Sequence, residues 1–210
     1  MSHQPGAESL RCFIAVKLPE AATESLREPQ ERLRAAEPDW KWANPDTFHI
    51  TLKFLGQVER ERLDATLHDV KAALEDAAPF RIALRGLGVF PNARAPRVAW
   101  AGVSEGAAEL TSLASRAEEA CSKHGFELEK RPFAAHLTLG RAREPRPNAG
   151  LATAIERFAE TEFGGGEIDR VLLMQSTLHR SGAVYTAIGE QSLQKPATGV
   201  SAPAESGEKA

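Results

Sequence analysis

The sequence predicts an α+β fold built from two similar halves. Short segments with the period-two alternation of strands follow one another along the chain, separated by longer segments with the apolar spacing of helices. Each half ends in two strand-like segments joined by a short turn, which favours antiparallel pairing over a doubly wound parallel sheet. Each half also contains one strand-like segment with the pattern His-x-Thr.

The first half contains six predicted elements. They are a strand, a helix, a strand, a helix and two paired strands, at residues 11–18, 20–36, 48–55, 59–76, 80–90 and 97–103. The opening strand is apolar and rich in β-formers, and Pro19 follows it as a stop. Both helices carry aliphatic residues at helical spacing, and Pro29 is expected to kink or divide the first. The second strand alternates up to Gly56, and a Pro91-Asn92 turn joins the closing pair.

The second half contains five predicted elements. They are a helix, a strand, a helix and two paired strands, at residues 105–124, 133–139, 149–159, 168–178 and 183–188. Gly125 is expected to stop the first of these helices, and Ser181-Gly182 forms the last turn. From about Gln191 the chain has too little apolar surface to offset the entropy of ordering it. We therefore predict a flexible N-terminus at 1–10, one domain at 11–190 and a disordered tail at 191–210.

Composition and charge limit the classes of function. The chain is 42% hydrophobic and 26% charged, as expected of a globular enzyme. A formal net charge of −3 argues against a protein that coats long polyanions, but leaves a small phosphate ligand or one RNA end open. Cys12 and Cys121 are far apart and lack CxxC spacing, so neither a zinc site nor a disulfide framework is indicated. No apolar segment resembles a signal peptide or a membrane span, which predicts a cytoplasmic protein.

A duplicated motif is the most informative feature of the sequence. His49-x-Thr51 recurs as His136-x-Thr138, with an aliphatic residue at each middle position. In a strand, the period of two places His and Thr on one face while the aliphatic residues point into the core. A single copy would most often be a structural histidine, but two copies at matching places in similar halves are hard to assign to chance.

Two imidazoles and two hydroxyls that face each other suit in-line cleavage of a phosphodiester. One neutral imidazole can take a proton from water, and the other, as imidazolium, can protonate the leaving alkoxide. The hydroxyls can donate hydrogen bonds to the non-bridging phosphate oxygens. A zinc site is a weaker interpretation, because the motif supplies no third ligand. We expect no metal and no cofactor, and symmetry alone leaves the acid and base roles interchangeable.

Other parts of the sequence extend this pattern to a known family. The supporting segments are residues 11–15, Trp42, residues 48–56, residues 176–178, Gly182 and Tyr185-Thr186. Together with the two motifs they resemble the RNA 2′,3′-cyclic phosphodiesterase family, also called 2′-5′ RNA ligase, of the 2H phosphoesterase superfamily. The resemblance covers about residues 11–190. It implies a bilobal fold of two pseudo-symmetric lobes, each with an antiparallel sheet and helices, with the active-site cleft between them.

The resemblance also implies an activity and a role for each motif residue. A 2′,3′-cyclic phosphate at an RNA 3′ end would be hydrolysed to a 2′-phosphate without a metal, and some members join tRNA halves reversibly by a 2′-5′ bond. His49 would be the acid that protonates the departing 3′ oxygen, and His136 the base that activates water. Thr51 and Thr138 would hold the phosphate. Arg141 matches the basic residue that follows the second motif, and its fork of donors suits a phosphate oxygen. We expect a monomer.

Several further positions are weaker candidates for substrate binding. Phe13 is predicted either to stack on the terminal base or to be a core residue. Lys53 shares a face with the first motif by alternation, and is predicted either to raise the positive potential over the cleft or to lie beyond it in solvent. Lys130 and Arg131 form a basic pair ahead of the second motif and are predicted either to flank the RNA end or to be solvated at the surface beside a turn. Ala135 stands where the family often has proline, which removes no reacting group.

Two other functions stay open at this point. The same histidines could act on a small cyclic phosphate, such as a nucleotide or an ADP-ribose derivative, since the net charge does not require RNA. A protein of another class could use the pair only to bind RNA ends. The intact histidines and threonines of both motifs count against this last possibility.

Overall fold

The computed structural model of the protein describes residues 9–179 and 182–194, which form two antiparallel sheets with helices packed against them. The strands are β1 (Ser9–Lys17), β2 (Lys41–Trp42), β3 (His49–Glu59), β4 (Phe80–Phe90), β5 (Val98–Glu105), β6 (His136–Arg141), β7 (Glu162–Ile168), β8 (Arg170–His179) and β9 (Gly182–Ser192). The helices are α1 (Glu20–Ser25), α2 (Arg27–Ala36), α3 (Arg60–Leu74), α4 (Ala107–Ser122) and α5 (Ala149–Arg157). No helix in these two ranges is long and apolar enough to cross a membrane.

Each sheet contains one of the two motif strands. The first sheet has the order β3-β1-β8-β9, and the second has the order β2-β6-β5-β4-β7. The predicted α+β fold of two lobes with antiparallel sheets is therefore confirmed. The lobes are not the two halves of the sequence, however. Helices α3 and α4 pack on the first sheet, whereas α1 and α5 pack on the second, so the chain crosses between the lobes several times.

The first predicted helix is divided, but three residues before the proline. Leu26 separates α1 from α2 with a backbone ψ of −9°, and its side chain is fully buried. Pro29 lies in the first turn of α2, where amide groups have no acceptor within the helix, so the missing donor costs nothing there.

Two strands were missed by the sequence analysis. Strand β2 is only two residues long, and β7 contains three consecutive glycines, which have low strand propensity. Two of the glycines of β7 are required by close packing against neighbouring residues. A side chain at Gly165 would collide with the carbonyl oxygen of Ile82, and one at Gly166 would collide with Pro19. Packing between distant segments therefore requires glycine at these positions, although glycine has a low intrinsic preference for strands.

Strands run past the limits that the sequence predicts for them and for the domain. Strand β3 passes through Gly56, which has a φ of 71°, instead of ending there. Strand β1 begins at Ser9, inside the segment predicted to be flexible. At the other end, β9 pairs with β8 as far as Ser192, and the amide of Leu193 donates to the carbonyl of Asp169 at 2.7 Å. Strand β9 and its hydrogen bonds thus continue past the predicted domain limit at residue 190. Residues 1–8, 180–181 and 195–210 lie outside the described residues, and with them most of the predicted flexible N-terminus, Ser181 of the predicted last turn and most of the predicted tail.

A short connection joins the two sheets next to the motif strands. Trp42 belongs to the second sheet and His49 to the first, and only residues 43–48 lie between them. A 3₁₀ turn at Pro45–Thr47 tightens this connection, and the Asn44 side chain caps it by accepting from the amide of Asp46 at 3.1 Å. The connection keeps β3 beside β6, so both motifs lie at the same boundary between the lobes.

Candidate active site

Strand β3 contains a bulge immediately after the threonine of its motif. Ala15 of β1 lies opposite Thr51, but the preceding residue Ile14 lies opposite Lys53, so Leu52 is an extra residue. Leu52 and Lys53 are consequently both buried on the helix-covered side of the sheet. Phe54 turns to the other side instead and is 53% exposed.

Strand β6 contains the same irregularity at the same place. Leu139 is the extra residue, because it falls between the residues opposite Trp100 and Ala99 of β5. Simple alternation from His136 would send Arg141 into the core. The bulge brings it instead to the face that carries the motif, where it is exposed. Phe54 in the first lobe and Arg141 in the second therefore occupy equivalent positions.

The bulge in β3 overturns the prediction for Lys53. This side chain is 3% exposed, and its ammonium group donates to Glu118 Oε1 at 2.8 Å and to the carbonyl of Glu127 at 2.7 Å. Lys53 lies neither over the cleft nor in solvent. It is wrong as a substrate-binding residue because alternation fails at one extra residue, and its role is to join β3 to α4.

Lys53→Met is expected to lower the free energy of unfolding by up to about 3–5 kcal/mol, because the partly buried carboxylate of Glu118 loses its partner. Urea denaturation measures this change. The double variant Lys53→Met/Glu118→Leu should recover most of the loss, since apolar replacements leave no unpaired charge. Lys71→Met, at an exposed position on α3, is the matched control. A single variant as stable as that control would contradict the assignment.

Both motif histidines are held by the same backbone contact. Nδ1 of His49 lies 2.8 Å from the carbonyl oxygen of Thr47, and Nδ1 of His136 lies 2.7 Å from that of Ala134. A carbonyl oxygen can only accept, so each Nδ1 carries a hydrogen and donates it. The same tautomer is thus selected in both lobes. In each ring Nε2 remains as the nitrogen that gains or loses a proton.

Aromatic rings pack against both imidazoles. His49 stacks on Phe13 with ring centroids 4.8 Å apart, and Tyr185 meets the His49 ring edge-on at 5.2 Å. His136 meets Phe90 edge-on at 5.1 Å. Phe13 is 3% exposed, so its ring is a core residue under His49 and offers no face to a base. The rings restrict the orientation of the imidazoles and remove water from one side of each.

Phe90 and Tyr185 were not predicted as site residues. The family resemblance had drawn attention to Tyr185, the chain's single tyrosine, without giving it a role. Phe90 ends a predicted strand and carries no signal of its own, because only the pairing of β4 with β5 brings it near the second motif.

The environment lowers the pKa of both histidines below the ordinary value of about 6.5. Burial is the largest cause, and the positive charge of Arg141 lowers the pKa of each further, against the opposing effect of the carbonyl hydrogen bond. Arg141 acts on His49 and on His136, which belong to different sheets. The guanidinium is within electrostatic reach of both imidazoles, and β3 lies beside β6, so we assign the two half-sites to one candidate centre.

A buried glutamine supports this centre from behind. Gln30 of α2 is fully buried, and its side-chain amide donates to the carbonyls of Leu139 at 2.9 Å and of Ala43 at 2.8 Å. Leu139 is the bulge residue of β6, and Ala43 begins the connection to β3. One side chain therefore fixes both the bulge that directs Arg141 and the segment that leads to His49. In the sequence it is an ordinary polar helix residue.

Other polar candidates lie away from this centre or only near its rim. Lys130 and Arg131 are exposed in the loop that precedes β6, and their place at the RNA end stays a prediction. His124 pairs with Asp69 at 3.0 Å on the far side of the helices. Burial raises the pKa of both cysteine thiols to about 11. Within the described ranges, no group of three His, Cys, Asp or Glu side chains could hold a metal ion.

The fold and the paired half-sites define a phosphoesterase of the two-histidine class. Comparison with family models gives the more specific assignment. The model of LigT like Phosphoesterase matches residues 16–100 and 102–185, and the chain therefore belongs to this family of the 2H superfamily. The resemblance noted in the sequence is confirmed.

Relatives and solved structures agree with this assignment. An RNA 2′,3′-cyclic phosphodiesterase from Methanothermobacter thermautotrophicus is 36% identical over 177 residues, which are 84% of this chain and 95% of the relative. Another from Aquifex aeolicus is 34% identical over 80% of this chain and 91% of the relative. The crystal structure of TT0787 from Thermus thermophilus is 32% identical, with a TM-score of 0.73 over 89% of this chain and 99% of that one. E. coli LigT complexed with 3′-AMP, at 22% identity and a TM-score of 0.70, shows the same fold.

Proposed function

We propose that this phosphoesterase hydrolyses the 2′,3′-cyclic phosphate at an RNA 3′ end to a 2′-phosphate, by acid-base catalysis with His49 and His136 and without a metal. The observation that carries the proposal is the duplicated half-site. In both lobes Nδ1 is bound to a carbonyl two residues upstream, and the charge of Arg141 acts on both rings. Relatives named RNA 2′,3′-cyclic phosphodiesterase support the same substrate.

The two imidazoles divide the proton transfers between them. Nε2 of His136 takes a proton from water, and the water oxygen forms the new bond to phosphorus. The bond from phosphorus to the 3′ oxygen breaks in line with it, and Nε2–H of His49 gives its proton to that oxygen. The phosphate stays on the 2′ oxygen. Each transfer contributes about 10²–10⁴-fold to the rate. His49 ends neutral and His136 protonated, and exchange with solvent restores the starting state.

Three further groups hold the phosphate during this reaction. The hydroxyls of Thr51 and Thr138 stand on the same strand face as their histidines, and each can donate to a non-bridging oxygen. The guanidinium of Arg141 stabilises the negative charge on these oxygens. A bound phosphate anion also offsets the effects that lower the histidine pKa values, which favours the imidazolium that the acid step needs.

The same site could also join two RNAs, with a 5′-hydroxyl as the attacking group in place of water; the reverse of that step is cleavage of a 2′-5′ bond by the neighbouring 3′-hydroxyl. If the 5′-hydroxyl of a second RNA takes the place of water, attack on phosphorus releases the 3′ oxygen and leaves a 2′-5′ phosphodiester. No other co-reactant is needed, because bond formation and bond breakage balance within the cyclic phosphate. We include this reversible joining of RNA halves in the proposal as a secondary activity of the site.

An oligoribonucleotide with a 2′,3′-cyclic phosphate end, incubated with the protein and an excess of chelator, tests the proposal. We expect a product with the phosphate on the 2′ oxygen, identified by phosphorus NMR. An absolute requirement for added metal, or a 3′-phosphate product, would contradict the mechanism. A parallel reaction with small cyclic nucleotides and an ADP-ribose cyclic phosphate tests the substrate, because hydrolysis of these alone would exclude RNA.

A further inference from the structure

A row of cross-strand neighbours runs outward from the candidate site along the second sheet. Phe90 pairs with Val98, Val98 pairs with Arg141, and Arg141 pairs with Lys41 of β2. Residues that are directly opposite in antiparallel strands share a face of the sheet. Lys41 therefore lies on the face of Arg141 and of Phe90, whose ring contacts His136 at 5.1 Å.

Lys41 and Arg141 form a pair of like charges without a carboxylate partner. Both side chains are exposed, and neither forms an ion pair within 4.0 Å among residues 9–179 and 182–194. The acidic residues nearest to Lys41 in the chain, Glu37 and Asp39, face Arg146 instead, at 3.8 and 3.7 Å. Like charges directly opposite each other destabilise a strand pair. An anion bound between them would remove this cost.

More positive charge collects at the same end of the sheet. Arg94 lies in the turn between β4 and β5, and Arg97 precedes β5, where its carbonyl accepts from the amide of Ala142 at 2.9 Å. Arg143 follows closely, and all three arginines are exposed. Glu144 is the acidic residue in this part of the chain. Since the whole chain has a net charge of −3, this end is positive against an acidic background.

We propose that Lys41 binds the phosphodiester that precedes the terminal nucleotide, so that the site distinguishes an RNA strand from a mononucleotide. The bulge of β6 brings Arg141 to the face that carries His136, which assigns Arg141 to the reacting phosphate. Lys41 lies one strand farther out, where a mononucleoside cyclic phosphate has no second charge to offer. The inference rests on the proposed function. It adds the feature of the substrate that Lys41 recognises, which is the phosphodiester before the terminal nucleotide.

The ratio of kcat/KM for a cyclic-phosphate oligonucleotide to kcat/KM for a 2′,3′-cyclic mononucleotide measures this preference. Lys41→Gln is expected to lower the ratio roughly three- to tenfold, as suits one exposed phosphate contact. The slope of log kcat/KM for the oligonucleotide against log salt should become shallower by about 0.7, the contribution of one contact to a single strand. Lys71→Gln, which removes an exposed ammonium from α3, should leave both quantities at the wild-type value.

A ratio and a salt slope equal to those of wild type in Lys41→Gln would overturn the inference. So would a ratio that stays constant because both substrates lose activity equally. Binding of a fluorescent oligonucleotide that ends in a 2′-phosphate, compared with a 2′-phosphate mononucleotide, gives the same ratio without turnover. If wild type hydrolysed neither substrate, the proposed function would fail, whereas these affinities would still decide the role of Lys41.

Discussion

His49→Ala and His136→Ala are each expected to lower kcat on a cyclic-phosphate RNA end by about 10²–10⁴-fold, with little change in KM. Each variant removes one proton transfer that is needed only in the transition state. The double variant should be much less impaired than the product of the two single effects, because the remaining group cannot act efficiently once its partner is absent. Single-turnover rates measure the chemical step directly.

A modified substrate separates the acid from the base. Sulfur in place of the bridging 3′ oxygen leaves as a thiolate, which needs no protonation. If His49 is the acid, His49→Ala should recover most of its activity on this substrate, and His136→Ala should not. Recovery in the other variant would exchange the two roles, which the symmetric contacts to Thr47 and Ala134 allow. His124→Ala is the control, because this histidine pairs with Asp69 away from the site. Full activity in either motif variant would contradict the mechanism.

Arg141→Gln is expected to lower kcat/KM by about 10²–10³-fold, the usual effect of removing one donor that stabilises transition-state charge. The variant keeps a polar side chain at the end of β6 but loses the charge and the fork of donors. Arg157→Gln, on the exposed surface of α5, provides the matched control and should retain wild-type kcat/KM. An Arg141 variant within a factor of a few of wild type would contradict its assignment to the phosphate.

The same variant should also change the dependence of kcat/KM on pH. In the free protein, the His49–His136 pair is active when it carries one proton. This state prevails at pH values between the two apparent pKa values of the pair. Both values lie below the ordinary histidine value of about 6.5, so the wild-type optimum is expected on the acid side of it. Because the charge of Arg141 lowers both pKa values, its removal raises both, and the optimum should move to higher pH. An unchanged or more acidic optimum would show that the guanidinium does not act on the pair.

The sequence predicted well what depends on local pattern. Alternation and aliphatic spacing located most helices and strands, and the duplicated His-x-Thr placed imidazole and hydroxyl on one face in each lobe. This holds because both bulges come after the threonine, so the period of two is intact over each motif. Beyond that point the same rule failed for Lys53. A bulge depends on the partner strand, which no local pattern records.

Features that depend on neighbouring residues could be predicted from the sequence, whereas features that arise between distant segments required the structure. The sequence by itself predicted the fold class, which the structure confirms, and supplied the candidate reacting groups, because residue chemistry and hydrophobic periodicity are local properties. Only the tertiary structure decided that the lobes interleave along the chain, that Phe13 supports His49 from beneath, and that Gln30 fixes the bulge carbonyl of Leu139. These features arise where distant segments pack and pair their buried polar groups, and burial itself sets the largest effect on the pKa values of His49 and His136.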